Sequence, residues 1–102
     1  MSGLCVCFTR KDEAAAEAYD RLVADTVEAI KASEPGMLVY ASHLAEGQPR
    51  QRTFDELYRA KAASEAHEAA PHTRRYLDER DQYLAGTEVD RLTLQRGKGT
   101  GG

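Results

Sequence analysis

The sequence predicts a single α+β domain with the element order βαββααβ. Its 102 residues suit one domain. Apolar residues alternate with a period of two in several segments, as in strands, and recur at helical spacing in others. Proline and glycine residues separate most of these segments and indicate turns between them.

The first strand is predicted over residues 4–10, because apolar residues occupy every second position there. Cys5 and Cys7 share the other face of this strand, two residues apart. Strand geometry keeps two such side chains too far apart for a disulfide, and two thiols alone are a weak metal signal. We therefore interpret both cysteines as small packing residues.

A long amphipathic helix is predicted next, with Asp12 as its N-cap and its end near Ser33. Apolar residues recur at helical spacing along one face, whereas charged residues occupy most of the other. The segment Glu34-Pro35-Gly36 is predicted to end the helix, because proline disfavours a helical residue before it and glycine allows a turn.

Residues 37–45 and 50–58 are predicted to form a β-hairpin around a turn at residues 46–49. Tyr40 lies on one face of the first hairpin strand. In the second strand, Glu56 shares a face with two aromatic neighbours. A carboxylate is costly to bury there unless a partner satisfies it, so the strand pattern marks Glu56 as a candidate functional residue.

The alanine-rich residues 60–70 predict a helix that Pro71 interrupts. A second short helix is predicted from about His72 to Leu84, closed by Gly86. The last strand is predicted over residues 89–95. The domain is thus expected to occupy residues 1–96, and the glycine-rich residues 97–102 are expected to form a flexible tail.

Charge and hydropathy argue against two classes of partner. The formal net charge is −3, from 14 basic and 17 acidic residues, and the basic residues form no stripe that would bind nucleic acid. No apolar stretch approaches the roughly 20 residues of a membrane helix. The N-terminus lacks the pattern of a signal peptide, so we expect a cytoplasmic protein with neither nucleic acid nor membrane as a partner.

The histidines of the helical region invite comparison with the zinc protease motif His-Glu-x-x-His. The comparison fails, because His72 follows His67 one residue too late and Pro71 breaks the helix that would align them. If the two short helices fold back over the hairpin, Glu56, His67 and Tyr40 converge around one cavity. Such a set suits acid and base chemistry near neutral pH.

Simpler interpretations remain open for each of these residues. Glu56 could pair with an arginine such as Arg59 or Arg74. His67 could be a packing residue, and His72 could cap the second short helix.

The segment from residue 34 to residue 76 resembles the antibiotic biosynthesis monooxygenase family. The spacing of eleven between Glu56 and His67 is common in that family. The matching features are Glu34-Pro35-Gly36, Tyr40 on the next strand, the run Phe54-Asp55-Glu56-Leu57-Tyr58, His67, Pro71-His72 and Tyr76. The resemblance implies a ferredoxin-like antiparallel sheet with helices on one face, paired with a second copy in a dimeric α/β barrel.

The resemblance also implies oxygenation of an electron-rich aromatic such as a quinol, phenol or anthrone, with no flavin, other cofactor or metal. The expected partners are this small substrate, which could belong to polyketide or other secondary metabolism, and molecular oxygen. His67 is then the base, Glu56 its orienting partner, and Tyr40 and Tyr58 donors to substrate oxygens. The predicted substrate-binding set is Tyr40, Phe54, Tyr58, His72 and Tyr76.

Two other functions stay open on the same scaffold. One is isomerisation or cyclisation of a polyketide-like substrate, and the other is ligand binding without chemistry. The haem-degrading branch of the fold is disfavoured, because the first strand has no asparagine and the chain has no tryptophan.

Overall fold

A computed structural model describes residues 1–99, and the end of the predicted tail, residues 100–102, lies outside the described part. The elements follow the predicted βαββααβ order, which confirms the fold class. Their bounds are β1 Ser2–Arg10, α1 Glu13–Ser33, β2 Met37–Ala45, β3 Gln48–Tyr58, α2 Lys61–Ala69, α3 Pro71–Arg80, a 3-10 turn Asp81–Tyr83 and β4 Leu84–Thr93.

The four strands form one antiparallel sheet in the order β2-β3-β1-β4. The apolar face predicted for β1 is the face on which the helices pack, and Val6 lies there opposite Phe54 of β3. The core between sheet and helices consists of Val6, Phe8, Tyr19, Leu22, Val23, Phe54 and Tyr76. The other face of the sheet carries no helix in the described part of the chain.

Helix α1 begins as predicted, because the Asp12 carboxylate accepts a hydrogen bond from the backbone N–H of Ala15 at 2.7 Å. Its inward face buries apolar residues at helical spacing. The helix ends after Ser33, and Glu34 is its C-cap residue. This end matters for the site, because the side chain of Glu34 turns inward rather than to water.

The end of α3 differs from the prediction. The helix stops at Arg80 rather than near Leu84, and Gly86 closes no helix but pairs with Thr9 inside β4. Backbone pairing with β1 decides this boundary. The backbone groups on the side of β1 that β3 does not cover need partners, and Leu84 is the first residue of β4 to provide them, opposite Arg10. The last strand is therefore longer at its start than the side-chain pattern indicates.

The hairpin turn is also tighter than predicted. β3 already begins at Gln48, so the turn lies at Glu46 and Gly47 rather than over residues 46–49. Gly47 has a φ of +73°, a left-handed conformation that glycine adopts without strain. The shift leaves the alternation of the strand unchanged, so Phe54, Glu56 and Tyr58 still share one face.

Candidate active site

Helix α2 folds back over the strand that precedes it and brings His67 above the sheet. Gly36 makes the close approach possible, since a Cβ atom there would lie 2.7 Å from the Cβ of Ala63. The imidazole of His67 is buried, with ring centroids 5.9 Å from Tyr40 and 5.8 Å from Tyr58. His67 therefore lies directly over the hairpin face that carries Glu56.

Glu34 is the hydrogen-bonding partner of His67. Its carboxylate lies 2.9 and 3.0 Å from Nδ1 of His67 and 2.5 Å from Nε2 of His72. An ionised carboxylate only accepts hydrogen bonds, so Nδ1 of His67 donates to it, and in the neutral imidazole Nε2 is then the nitrogen with the lone pair. Thr73 adds a hydroxyl 3.3 Å from the same Nδ1. These contacts fix both the orientation and the tautomer of His67.

From the sequence, Glu34 was interpreted as part of a helix end and of a segment that resembles the family, with no role in the site. A usable signal was present, because a carboxylate at a helix C-terminus opposes the helix dipole and normally needs a compensating partner. The partners, His67 and His72, follow more than thirty residues later, and only the tertiary structure brings them to it.

Glu56 faces His67 but is not hydrogen-bonded to it. Its Oε1 lies 3.9 Å from Nε2 of His67, beyond hydrogen-bond distance, and accepts instead from the hydroxyl of Tyr58 at 2.5 Å. Burial raises the pKa of Glu56, although the Tyr58 hydrogen bond, His67 and Arg80 act in the opposite direction. The orienting contact expected from Glu56 is thus made by Glu34.

Glu56 and His67 line one cleft of about 280 Å³ between the sheet and the two short helices. Its apolar wall comes from β1, and its rim includes the half-exposed Val89 of β4. The lining residues with polar side chains are Tyr40, Glu56, Tyr58, His67, Glu68, Thr73, Arg74, Tyr76, Arg80 and Arg91. A cleft with apolar walls and a few converging polar groups is typical of small-molecule sites.

Two residues of the predicted substrate-binding set lie elsewhere. Phe54 is fully buried in the core and contacts Phe8 and Tyr40 instead of lining the cleft. His72 lies on the far side of Glu34, where it lines a second cavity of about 400 Å³. The predicted set therefore divides, with Tyr40, Tyr58 and Tyr76 at the cleft.

The tyrosines of the cleft are held as proton donors. Burial raises the pKa of Tyr40 and of Tyr58 well above the ordinary value, so both keep their protons at neutral pH. Tyr58 donates to Glu56. The hydroxyl of Tyr76 lies 2.6 Å from that of Tyr19, so it is shared with the core, although Tyr76 also lines the cleft.

Arg80 is a cleft residue that the sequence did not single out. Its guanidinium lies over the rings of Phe8 and Tyr76, 5.4 and 5.6 Å from their centroids. Its buried Nε makes no hydrogen bond among residues 1–99, and it lies 3.5 Å from Oδ1 of the exposed Asp81, in a long ion pair. A buried donor without a hydrogen bond at a cleft is suited to meet a negatively charged ligand. Arginine near the end of a helix is common, so its sequence position gave no signal.

Glu34, His67 and His72 also form a set of potential metal ligands. Their ligand atoms all lie within 4.8 Å of one another. No metal was expected from the sequence, because His67 and His72 do not form a zinc protease motif and the family resemblance implies a reaction without metal. The distant Glu34 was not considered together with the two histidines.

Across residues 1–99, no helix is long and apolar enough to cross a membrane.

The sequence profile of the family described as "Antibiotic biosynthesis monooxygenase" matches residues 6–79. No curated protein sequence matches the chain. Among solved structures, a protein from Caulobacter crescentus CB15 provisionally named as an antibiotic biosynthesis monooxygenase superposes with a TM-score of 0.85 at 21% identity, covering 93% of this chain and 90% of that one. Rv0793 from Mycobacterium tuberculosis gives a TM-score of 0.85 at 18% identity, covering 94% and 96%.

A third similar structure, provisionally named a monooxygenase, comes from Lactobacillus acidophilus NCFM. It has 28% identity and a TM-score of 0.84, and the match covers 90% of this chain but only 43% of that one. The Caulobacter and Mycobacterium proteins are less than 25% identical to this chain, so their similarity establishes the ferredoxin-like fold and nothing finer.

Proposed function

Because the chain belongs to the antibiotic biosynthesis monooxygenase family, we propose that it oxygenates a small electron-rich aromatic, such as a quinol, phenol or anthrone, without a cofactor. Family membership supports a monooxygenase-like function. The observation that carries the proposal is the buried pair of Glu34 and His67, which turns a nitrogen lone pair toward the cleft that Glu56 lines.

The chemistry requires little from the protein beyond a base and a dry, charged pocket. Triplet oxygen reacts slowly with closed-shell molecules, but an easily oxidised aromatic anion can pass an electron to it. The substrate supplies all the electrons, one oxygen atom enters the product, and the other leaves as water. The protein must remove a proton, hold the anion and limit access of water.

His67 takes the proton in this proposal. Its Nδ1–H is held by Glu34, so Nε2 accepts the proton from a substrate hydroxyl, and the Glu34 carboxylate stabilises the imidazolium that forms. A carboxylate that orients a base, which in turn takes a proton from the reacting group, is a common catalytic arrangement. Arg80 and the hydroxyl of Tyr40 are the proposed donors to the substrate anion.

Glu56 is the proposed second proton carrier. It lies 3.9 Å from Nε2 of His67, close enough to exchange a proton through the substrate or one water molecule. Its raised pKa brings it nearer to that of an imidazole, which favours exchange between the two groups.

We also propose that a second copy of the chain covers the sheet face opposite the helices. The register aligns Val39, Leu57, Gly3 and Leu92 across all four strands on that face. Leu92 is 50% exposed in the single chain. An apolar row on a bare sheet face is typical of an interface. Sedimentation should give about twice the chain mass of 11.3 kDa, and a stable monomer would contradict the pairing.

The cytoplasmic location stays a proposal as well. It is supported by the two free cysteines, since reducing compartments preserve such thiols.

Oxygen consumption tests the proposed reaction. Purified protein is supplied with a panel of quinols, phenols and anthrones in an oxygen-electrode cell, and products are identified by mass spectrometry. Changing His67 to Ala should lower turnover by about 10²–10⁴-fold, the usual contribution of a general base. His43→Ala is the matched control, since His43 pairs with Asp55 away from the cleft.

Other results would assign the chain to one of the open alternatives. Equal turnover under nitrogen would indicate an isomerase or cyclase. Tight binding of a panel member without any product would indicate a binding protein. Full activity of the His67→Ala variant would exclude His67 as the base.

A further inference from the structure

The cluster of Glu34, His67 and His72 does more than orient the imidazole of His67, because it also brings three metal-ligand types together. The three side chains come from the C-cap of α1, from α2 and from the first turn of α3. All are largely buried, with 7%, 10% and 16% of their side-chain surfaces exposed. Two imidazole nitrogens and one carboxylate oxygen are preferred ligands of late first-row divalent metals, Zn²⁺ above all.

We propose that Glu34, His67 and His72 bind a Zn²⁺-class divalent ion. Around a tetrahedral Zn²⁺ with bonds of about 2.0–2.2 Å, neighbouring ligand atoms stand roughly 3.3 Å apart. In the structure, the carboxylate oxygens lie 2.5 to 3.0 Å from the two nitrogens. The three ligand atoms all lie within 4.8 Å of one another, so the ion enters after shifts of the side chains and without a change of the backbone fold. The two N–H protons that make these contacts now leave those nitrogens when the metal binds: a neutral imidazole carries its proton on the other ring nitrogen instead, and a charged one releases a proton to solvent.

The surroundings provide the remaining parts of a metal site. The cavity of about 400 Å³ lined by Glu34 and His72 gives an approach and room for a water molecule in the fourth position. A histidine bound to metal through Nδ1 carries its proton on Nε2, which needs an acceptor. Glu56 faces that nitrogen at 3.9 Å and can supply the carboxylate.

The consequence for activity rests on the function proposed above. When the ion takes Nδ1 of His67, the proton of that imidazole moves to Nε2, which is the nitrogen proposed to accept the substrate proton. The bound ion also engages Glu34, so the imidazole loses its carboxylate partner. Zn²⁺ therefore inhibits the oxygenase by occupying its base.

Direct binding tests the site independently of any activity. The protein is dialysed against EDTA, exchanged into chelator-free buffer and titrated with ZnCl₂ by isothermal calorimetry. One ion should bind per chain, and His72→Ala should weaken binding at least about tenfold, since even outer-shell partners contribute that much. Mg²⁺, which prefers oxygen ligands, should give no such binding.

His43→Ala is the matched control, because the chain has three histidines and His43 lies on the other sheet face. This variant should bind Zn²⁺ as the unchanged protein does. Equal affinity of the His72→Ala variant, or no binding to the unchanged protein at millimolar Zn²⁺, would overturn the site. Circular dichroism checks that each variant is folded.

A second measurement avoids variants altogether. Crystals soaked in ZnCl₂ should show an anomalous peak within about 2.2 Å of the three ligand atoms. A peak at His43 alone would overturn the proposal.

Inhibition is scored against each variant's own zinc-free rate. Half-inhibition should follow the calorimetric affinity in the unchanged protein and shift upward at least tenfold in His72→Ala. Zinc binding by a protein that consumes no oxygen would leave the metal site standing and contradict only the oxygenase. Oxygen consumption that continues with the site saturated would overturn the inhibition.

Discussion

Helix α1 is held by two buried ionic clusters that differ in what their cations can do. Towards its first half, the side chain of Arg10 is fully buried and donates to Asp20 at 2.7 Å, to the carbonyl oxygen of Arg50 at 2.5 Å and to that of Pro49 at 3.0 Å. At its C-terminus, the carboxylate of Glu34 accepts from two imidazoles. Both clusters satisfy a buried charge with several hydrogen bonds.

The difference lies in the chemistry of the cation. A guanidinium stays charged at every accessible pH, so the Arg10 cluster can only fasten the hairpin to the helix. An imidazole gains and loses a proton near neutral pH, so the Glu34 cluster can also carry a reaction. Similar burial therefore yields a structural cluster at one place and a candidate active site at the other.

The largest effect that separates the two clusters should come from Glu34→Gln. The amide keeps the size of the side chain but cannot stabilise an imidazolium at His67. Turnover of a responsive substrate should fall by about 10²–10⁴-fold, as for orienting carboxylates of catalytic histidines. Steady-state kinetics across pH measures this. If Glu34 had only a structural role, Glu34→Gln would lower the stability of the protein but leave kcat and its pH profile unchanged in the folded enzyme.

The second effect concerns stability and the Arg10 cluster. Arg10→Leu removes hydrogen bonds to Asp20 and to two carbonyl groups, and should lower the free energy of unfolding by about 2–4 kcal/mol. Urea denaturation measures the loss. Arg75→Leu is the control, because Arg75 is 57% exposed in its pair with Asp25 and should cost less than about 1 kcal/mol. Equal losses in both variants would contradict the comparison.

The smallest effect should appear in the pH dependence of stability. Burial raises the pKa of Glu56 above its value in the unfolded chain, so the folded state binds more protons between the two values. The free energy of unfolding therefore falls as pH rises through that window, and the ionised group destabilises the fold above it. Glu56→Gln should raise stability at neutral pH and flatten this decline.

Urea denaturation between pH 4 and pH 8 tests this prediction. Glu65→Gln is the matched control, because Glu65 is 66% exposed on α2 and should leave the pH dependence unchanged. A Glu56→Gln variant that loses stability at neutral pH would show that the hydrogen bond from Tyr58 outweighs the cost of burial.

Several features of the fold could be predicted because they are local. The alternation of β3 put Phe54, Glu56 and Tyr58 on one face, and the structure has them there. The boundary between α3 and β4 could not be predicted from the same patterns. It depends on backbone pairing with the side of β1 that β3 does not cover, where Leu84 pairs with Arg10.

The candidate site also has a part that the sequence predicted and a part that it did not. Glu56 and His67 were expected in one pocket, since a helix that returns over its own strand meets the face it has just left. The acid that binds the imidazole was assigned to Glu56, whereas the structure gives that hydrogen bond to Glu34. Proximity in sequence favoured Glu56, and only the packing of α1 against α3, which in turn packs against α2, could bring Glu34 into contact.

The sequence by itself determined the element order and the inward faces of β1 and β3, and its resemblance to a family supplied His67 as the base candidate. The element order and the faces depend on side-chain periodicity, which is a property of neighbouring residues. The tertiary structure alone decided that Glu34 joins His67 and His72, and that Arg80 brings to the cleft an Nε that makes no hydrogen bond among residues 1–99. Contacts between distant segments depend on how the helices pack on the sheet, and no local pattern encodes that geometry.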